Sequence, residues 1–448
     1  MNRKPIPVAD RPIARLTSPF QRFARIESAG GLVLLAASIA AIVWANSPAA
    51  DSYASLLHIP LTLGFGSLQI AESLHVWIND GLMAVFFLFV GLEIKHEMLV
   101  GELSSLRLSA LPVLAAAGGV IVPAAIYIAL NHGHPTAGGW GIPMATDIAF
   151  ALGILSLSGS RAPTGLKVFL TALAIVDDIA AVLVIAFFYS SRIHWAMLLL
   201  AFGLLAVGAL ANRLGVTRLG VYMVLGFAIW VCMLRSGVHA TIAGVLVALI
   251  IPSSRYLDPR EFLRRARHEV TAMEAALDIQ ENSANHGQSQ VRDAFLSLQT
   301  QSHLVQAPLL RLEHALQPWV SFCIMPLFAL TNAGVHLSGF HAGSLHDPAV
   351  HGIFFGLLLG KPIGILLFSW LAVRFGIVGL PAGVNWRHML AAGCLGGIGF
   401  TMSLFVAALA FGSGAEDSLA KIAILAASAL AAVGGSLILM SSRESQPA

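Results

Sequence analysis

Charge is the scarcest thing in this sequence. Only 11% of its residues are Asp, Glu, Lys or Arg, against 57% hydrophobic, whereas soluble globular chains carry about 25% charged residues. That shortfall excludes an ordinary water-soluble domain. Cysteine is nearly missing too. Cys232, Cys323 and Cys394 stand far apart in or beside apolar runs, which excludes a disulfide framework and a cysteine-built metal site. The chain has no phosphate-binding loop, nucleophile elbow or zinc signature. His132 and His134 have a metal-like spacing, but they have no third ligand and read as a solvated pair.

What the chain has in quantity is apolar runs of about 20 residues, each long enough to cross a hydrocarbon core of about 30 Å. Twelve spans are expected, near 28–47, 74–99, 109–131, 145–158, 166–190, 195–212, 219–234, 237–252, 319–337, 350–373, 387–411 and 418–441. Those at 145–158 and 237–252 are too short to cross as straight helices. Lys and Arg placement sets the orientation. With both ends cytoplasmic, 21 basic residues fall inside, and only Arg192, Arg235 and Lys421 fall outside. The first apolar run has no small-residue cleavage site and reads as a retained helix. Topology and lipid headgroups account for the net charge of +3 better than nucleic acid does.

The domain plan follows from these runs. A cytoplasmic segment, 1–27, precedes spans 1–8 over 28–252, with an outward β-hairpin expected near 58–72 from the Leu61/Leu63/Phe65 alternation. The connection 253–318 is the one sizeable soluble segment. Its Asp258-Pro259-Arg260-Glu261 reads as a helix start, with a helix to about Ile279 and a second helical pattern running toward Glu313. Spans 9–12 occupy 319–441, and 442–448 is a cytoplasmic tail.

A charge at the centre of a membrane helix costs about 2.5–3.5 kcal/mol on insertion scales and is retained mainly for function. Glu93 and Lys95 lie near the cytoplasmic end of their span, where snorkelling explains them as well. Asp80 lies near the outward end, as an interfacial aspartate also would. Asp177 and Asp178, in TALAIVDDIAAVLVIAF, are beyond reach of either interface. Lys361, mid-span on another helix, is the natural partner for one of them, and the second carboxylate is left over. Hard cations such as Na⁺ prefer oxygen ligands, and two desolvated carboxylates titrate as a coupled pair. Such a site binds a metal cation or protons, and competition between them is enough for exchange.

Two segments read as broken helices. Asp147 follows GGWGIPMAT, and AGCLGGIGFTMSLF packs Gly393, Gly396, Gly397 and Gly399 into seven residues. Gly393 and Gly397 also form a GxxxG pair, the helix-packing alternative. Each interrupted segment is second in a set of three spans, an arrangement that marks binding sites in transporters.

WINDGLMAVFFLFVGLEIKHE, GWGIPMATDIAFALGILSL, LTALAIVDDIAAVLVIAFFY, SGVHATIAGV, LEHALQPWVSF, PLFALTNAGV, LGKPIGI and GGIGFTMSLF, in this order, together resemble the NhaA-type Na⁺/H⁺ antiporters of bacterial inner membranes. The resemblance implies an all-α polytopic fold of twelve transmembrane helices, inverted-topology repeats at spans 3–5 and 10–12, and interrupted spans 4 and 11. It implies a secondary transporter rather than an enzyme, with no cofactor: Na⁺ or Li⁺ leaves as more than one proton enters. Asp178 would be the main cation and proton site, and Asp177 would assist or pair with Lys361. Asp147, Thr146 and Lys361 would support it, compensating the helix-end dipoles beside the glycines Gly396, Gly397 and Gly399. The pH-sensing region would map to Glu93, His96, Glu97, Glu313 and His314, with His239 also implicated; His96 stands where the family has arginine. Dimerisation would run through the periplasmic hairpin. A Na⁺-coupled solute symporter is the alternative, though no organic-solute pocket is evident. An intramembrane aspartyl protease would need one aspartate from each of two facing helices, which adjacent Asp177 and Asp178 do not supply.

Overall fold

Inside a bilayer the backbone has no water to bond, so apolar runs close their own hydrogen bonds as helices. The computed structural model describes residues 29–442, except 66–67, 191–192, 255–258, 281–290, 299–305, 337–342, 344–345 and 413. Among the described residues, eight helices are long and apolar enough to cross a membrane, or up to ten if two bent pairs are each one span. One bent pair, Ala29–Ala45 with Ala50–Leu57, turns by 115°; the other, Trp386–Gly396 with Phe400–Phe411, turns by 42°. Helix Ile242–Ile250 has only nine residues.

The bundle is wrapped around helix Thr164–Phe188, of which 61% is buried in its most apolar window. Trp195–Arg213, with 11% buried, lies at the periphery. Large apolar side chains such as Phe187, Leu199, Val224 and Leu437 point outward, as expected where the solvent is lipid. Two helices cross closely beside the central one. A Cβ on Gly118 would run into the carbonyl oxygen of Gly364, and one on Gly364 into that of Gly118. Leu106–Asn131 and Lys361–Arg374 therefore meet backbone to backbone, the contact small residues permit in membranes.

Three π-helical stretches occur among the described residues: Trp77–Leu82, Val320–Ile324 and Gly356–Gly360. The last two each end within two residues of a proline, Pro326 and Pro362. Proline lacks an N–H and crowds the carbonyl four residues back, so the ladder opens there. Lys361 lies at the junction of such a turn and the helix after it.

Strands Pro60–Phe65 and Leu68–Ser73 pair antiparallel, with Pro60 opposite Ser73 and Phe65 opposite Leu68. In the long connection, helix Pro259–Gln280 is followed by a short helix over 291–298; Asp258 lies outside the described residues. The expected second helix toward Glu313 does not run through. Pro308 instead starts a new helix, Pro308–Trp319, that passes directly into the π-turn at Val320. Glu313 and His314 thus stand on the helix that runs on into Val320–Ile324. The cause is local: Pro308 has no N–H to continue a helix from upstream and suits a first turn.

Candidate ion-binding site

Asp177 and Asp178 lie mid-way along Thr164–Phe188, and both are buried, 1% and 3% exposed. Lys361 is fully buried, and its Nζ forms a close ion pair with Asp177 Oδ2. The ammonium also donates to Thr146 Oγ1 at 2.6 Å. Thr146 has one proton to give, with two acceptors in reach: Asp177 Oδ2 at 2.6 Å and the Gly396 carbonyl at 2.9 Å. Asp177 Oδ1 is buried without a hydrogen-bond partner. Successive helical residues diverge by about 100°, which takes Asp178 out of hydrogen-bond reach of Lys361. Among the described residues no hydrogen bond or ion pair reaches the Asp178 carboxylate.

Two short non-helical stretches meet beside this pair. In one, a 3₁₀ segment Pro135–Met144 gives way at residues 145–147 to helix Ile148–Leu157. The segment therefore begins about ten residues earlier than the sequence pattern indicated, because GGWGIPM carries no α-helical periodicity. In the other, residues 397–399 separate Trp386–Gly396 from Phe400–Phe411. The breaks bond to each other: Asp147 N donates to Ile398 O at 2.7 Å, and Ser403 Oγ to Ile142 O at 2.8 Å.

Asp147 caps both resumed helices. Its Oδ1 accepts from Phe150 N at 3.0 Å, while Oδ2 accepts from Thr401 N at 3.2 Å and Thr401 Oγ1 at 2.5 Å. A carboxylate at two helix N-termini faces the positive end of both dipoles. Phe400 N donates to Ser428 Oγ at 3.1 Å, supporting a residue with φ of 20°. The glycines make room for the Lys361 helix: a Cβ on Gly397 would stand 2.5 Å from Leu357 O, and one on Gly396 2.9 Å from Ile365 Cδ1. Gly393 faces Pro362 at 3.1 Å in the same way, so the GxxxG pair packs as well as breaks.

The residues marked for pH response do not all meet. His96 Nδ1 stands 3.2 Å from Glu313 Oε2, and Glu93 lies within electrostatic reach of Glu313 and Glu97. His314 is exposed and turns to its own helix at Leu310 O, 2.8 Å away. His239 stands apart, beside the Tyr189 backbone at the start of helix Ile242–Ile250. Lys95 caps the other end of that helix through Leu249 O at 2.7 Å and Ile251 O at 2.5 Å. Nine residues of helix separate the two ends by about 13 Å. Asp80 sits in the π-turn Trp77–Leu82, where its carbonyl accepts from Trp230 Nε1 at 3.3 Å.

The sequence motifs did not mark Thr401, Ser403, Ser428 or the capping role of Lys95. Thr401 donates its hydroxyl to Asp147 instead of capping its own helix, so it carried no local signal. Ser428, inside a long apolar helix, carried none either.

Apolar helices of membrane-spanning length packed around buried carboxylates indicate a multi-pass membrane protein. A family model described as Na⁺/H⁺ antiporter 1 matches residues 21–439, and the chain belongs to that family. It is 50% identical to a Na⁺/H⁺ antiporter NhaA of Koribacter versatilis, over 96% of this chain and 92% of that one. The NhaA of Oleidesulfovibrio alaskensis is also 50% identical, with 96% and 95% covered. The solved structure of the sodium proton antiporter MjNhaP1 from Methanocaldococcus jannaschii is similar with a TM-score of 0.46 and 12% identity, over 96% of this chain and 95% of that one. The activity is Na⁺/H⁺ antiport, on the strength of the sequence matches.

Proposed function

We propose that Asp178 is the exchange site of an electrogenic antiporter in the bacterial inner membrane, where Na⁺ or Li⁺ leaves as protons enter. The observation that carries this is the asymmetry of the pair: Lys361 makes its ion pair with Asp177, and Asp178 is a buried carboxylate with no ion pair of its own among the described residues. One carboxylate trading one proton for one Na⁺ moves no net charge. A second proton is therefore carried by Lys361. When the cation binds, the Asp177–Lys361 pair opens and Lys361 releases its proton. When the cation leaves, Lys361 is reprotonated and the pair closes. Thr146 supplies a neutral oxygen beside the cation, and Asp147 holds the two crossed helices in place. No cofactor enters the cycle.

The bundle is read as twelve spans with both termini cytoplasmic. The short helices Ile242–Ile250 and Met325–Asn332 and the two bent pairs complete the count. Spans 3–5 and 10–12 are inverted repeats whose middle members are the interrupted ones. The boundaries 1–27, 28–252, 253–318, 319–441 and 442–448 stand as the domain plan, and the hairpin at 60–73 is the dimer contact. Exchange is regulated by cytoplasmic pH through Glu93, His96, Glu97 and Glu313. His239 acts from the opposite end of helix Ile242–Ile250.

The test is Asp178→Asn, which keeps the side-chain volume and removes the charge. In everted vesicles it should abolish Na⁺-dependent and Li⁺-dependent proton movement while the purified protein remains folded. Normal exchange by this variant would overturn the assignment.

A further inference from the structure

The soluble connection leaves and returns at one point, since Leu309 N donates to Pro252 O at 3.1 Å. Its helix Pro259–Gln280 has its charges sorted by sign. Residues 260–268 hold Arg260, Arg264, Arg265 and Arg267 against Glu261 alone; residues 269–280 hold Glu269, Glu274 and Asp278 with no lysine or arginine. The first half therefore carries an excess of positive charge, most of it beyond the first turn. A negative surface against the first half would relieve that excess.

Within the helix, Glu261 supplies part of that relief. Glu261 pairs with Arg264 at 2.6 Å and Arg265 at 2.7 Å; these hydrogen bonds hold its carboxyl below the usual value. Its single negative charge stands against the four arginines of this half. Phe262, Ala266, Glu269 and Met273, one stripe of the helix, are half-buried. Ser297 Oγ donates to Glu269 Oε1 at 2.6 Å, which sets the 291–298 helix against that stripe. The face turned away carries Leu263, 55% exposed, with exposed Arg264 and Arg267 beside it.

We propose that the Arg260–His268 half of this helix docks on anionic lipid headgroups of the cytoplasmic leaflet. Leu263 seats at the headgroup boundary, and the acidic half leads away from the surface. This rests on the cytoplasmic placement of the connection. Guanidinium groups bind phosphate oxygens in bidentate fashion, juxtamembrane basic clusters are drawn to anionic leaflets, and the helix N-terminus adds partial positive charge.

The experiment uses the full chain without its three cysteines, carrying Leu263→Cys or Glu274→Cys labelled with an environment-sensitive fluorophore. The protein is placed in nanodiscs of phosphatidylcholine alone or with phosphatidylglycerol, each with a headgroup spin-labelled quencher. The Leu263→Cys probe should be quenched in the anionic discs. High salt should abolish that quenching, and so should Arg264→Gln, Arg265→Gln and Arg267→Gln together, with antiport retained as the check on folding. The Glu274→Cys probe should stay unquenched in both. Equal quenching at the two sites, or none at Leu263→Cys, overturns the proposal. Quenching that tracks two copies per disc rather than lipid charge also overturns it and assigns the helix to a second copy. Labelling of Glu274→Cys by an impermeant maleimide from outside intact cells would overturn the cytoplasmic placement instead, whatever the lipid result.

Discussion

At the scale of single residues, the site depends on unequal treatment of two identical side chains. Asp177 is committed to Lys361 and Thr146, whereas Asp178, one position on, is buried without a partner among the described residues. Removing one member of a buried ion pair leaves an uncompensated charge and typically costs about 3–5 kcal/mol. Lys361→Met should therefore lower the thermal unfolding midpoint sharply in detergent. Asp177→Asn combined with Lys361→Met should recover most of that loss, because no orphan charge remains. A double variant as unstable as the single one would show that the two side chains do not act as a pair. Neither variant should transport normally, since both remove the second proton carrier.

At the scale of elements, the crossed interrupted helices are held by a small set of polar contacts. Asp147 reaches both resumed N-termini, and Thr401 donates to it twice, from its backbone and its hydroxyl. A hydrogen bond from a hydroxyl to a charged group contributes about 1.5–3 kcal/mol. Thr401→Ala should lower thermal stability by that order and raise the KM for Na⁺, as the two breaks lose their register. Thr401→Ser should restore both, since the hydroxyl and not the methyl makes the bond. Equal effects of alanine and serine would mean that packing, rather than the hydroxyl, sets the crossing.

At the scale of the whole molecule, charge balance decides the driving force. If exchange moves more protons than metal ions, membrane potential alone must drive it. In proteoliposomes without a pH gradient, a potassium diffusion potential should drive Na⁺ out when the compartment receiving protons is negative. Dissipating the potential should stop that flux. Flux indifferent to the potential would sink the electrogenic reading and leave Asp178 as a one-for-one exchanger.

Apolar run length, the sidedness of lysine and arginine, and the few charges inside apolar runs were all legible in the residue string. They belong to local composition, and a bilayer acts on each segment separately. Through its motifs, the family was legible as well. Partnership was only half legible. Lys361 was the one mid-span cation available for two aspartates, and only the family resemblance pointed it to Asp177; the physical choice follows from how Thr164–Phe188 is rotated against the Lys361 helix. The Thr401 contact to Asp147, the Ser428 contact to Phe400 N and the Lys95 cap on Ile251 join residues on separate helices, 28 to 254 positions apart. Nothing in the local pattern encodes such contacts. They exist because backbones separated at their breaks leave polar groups that must be met from neighbouring helices, and only the packed bundle determines which neighbour is near.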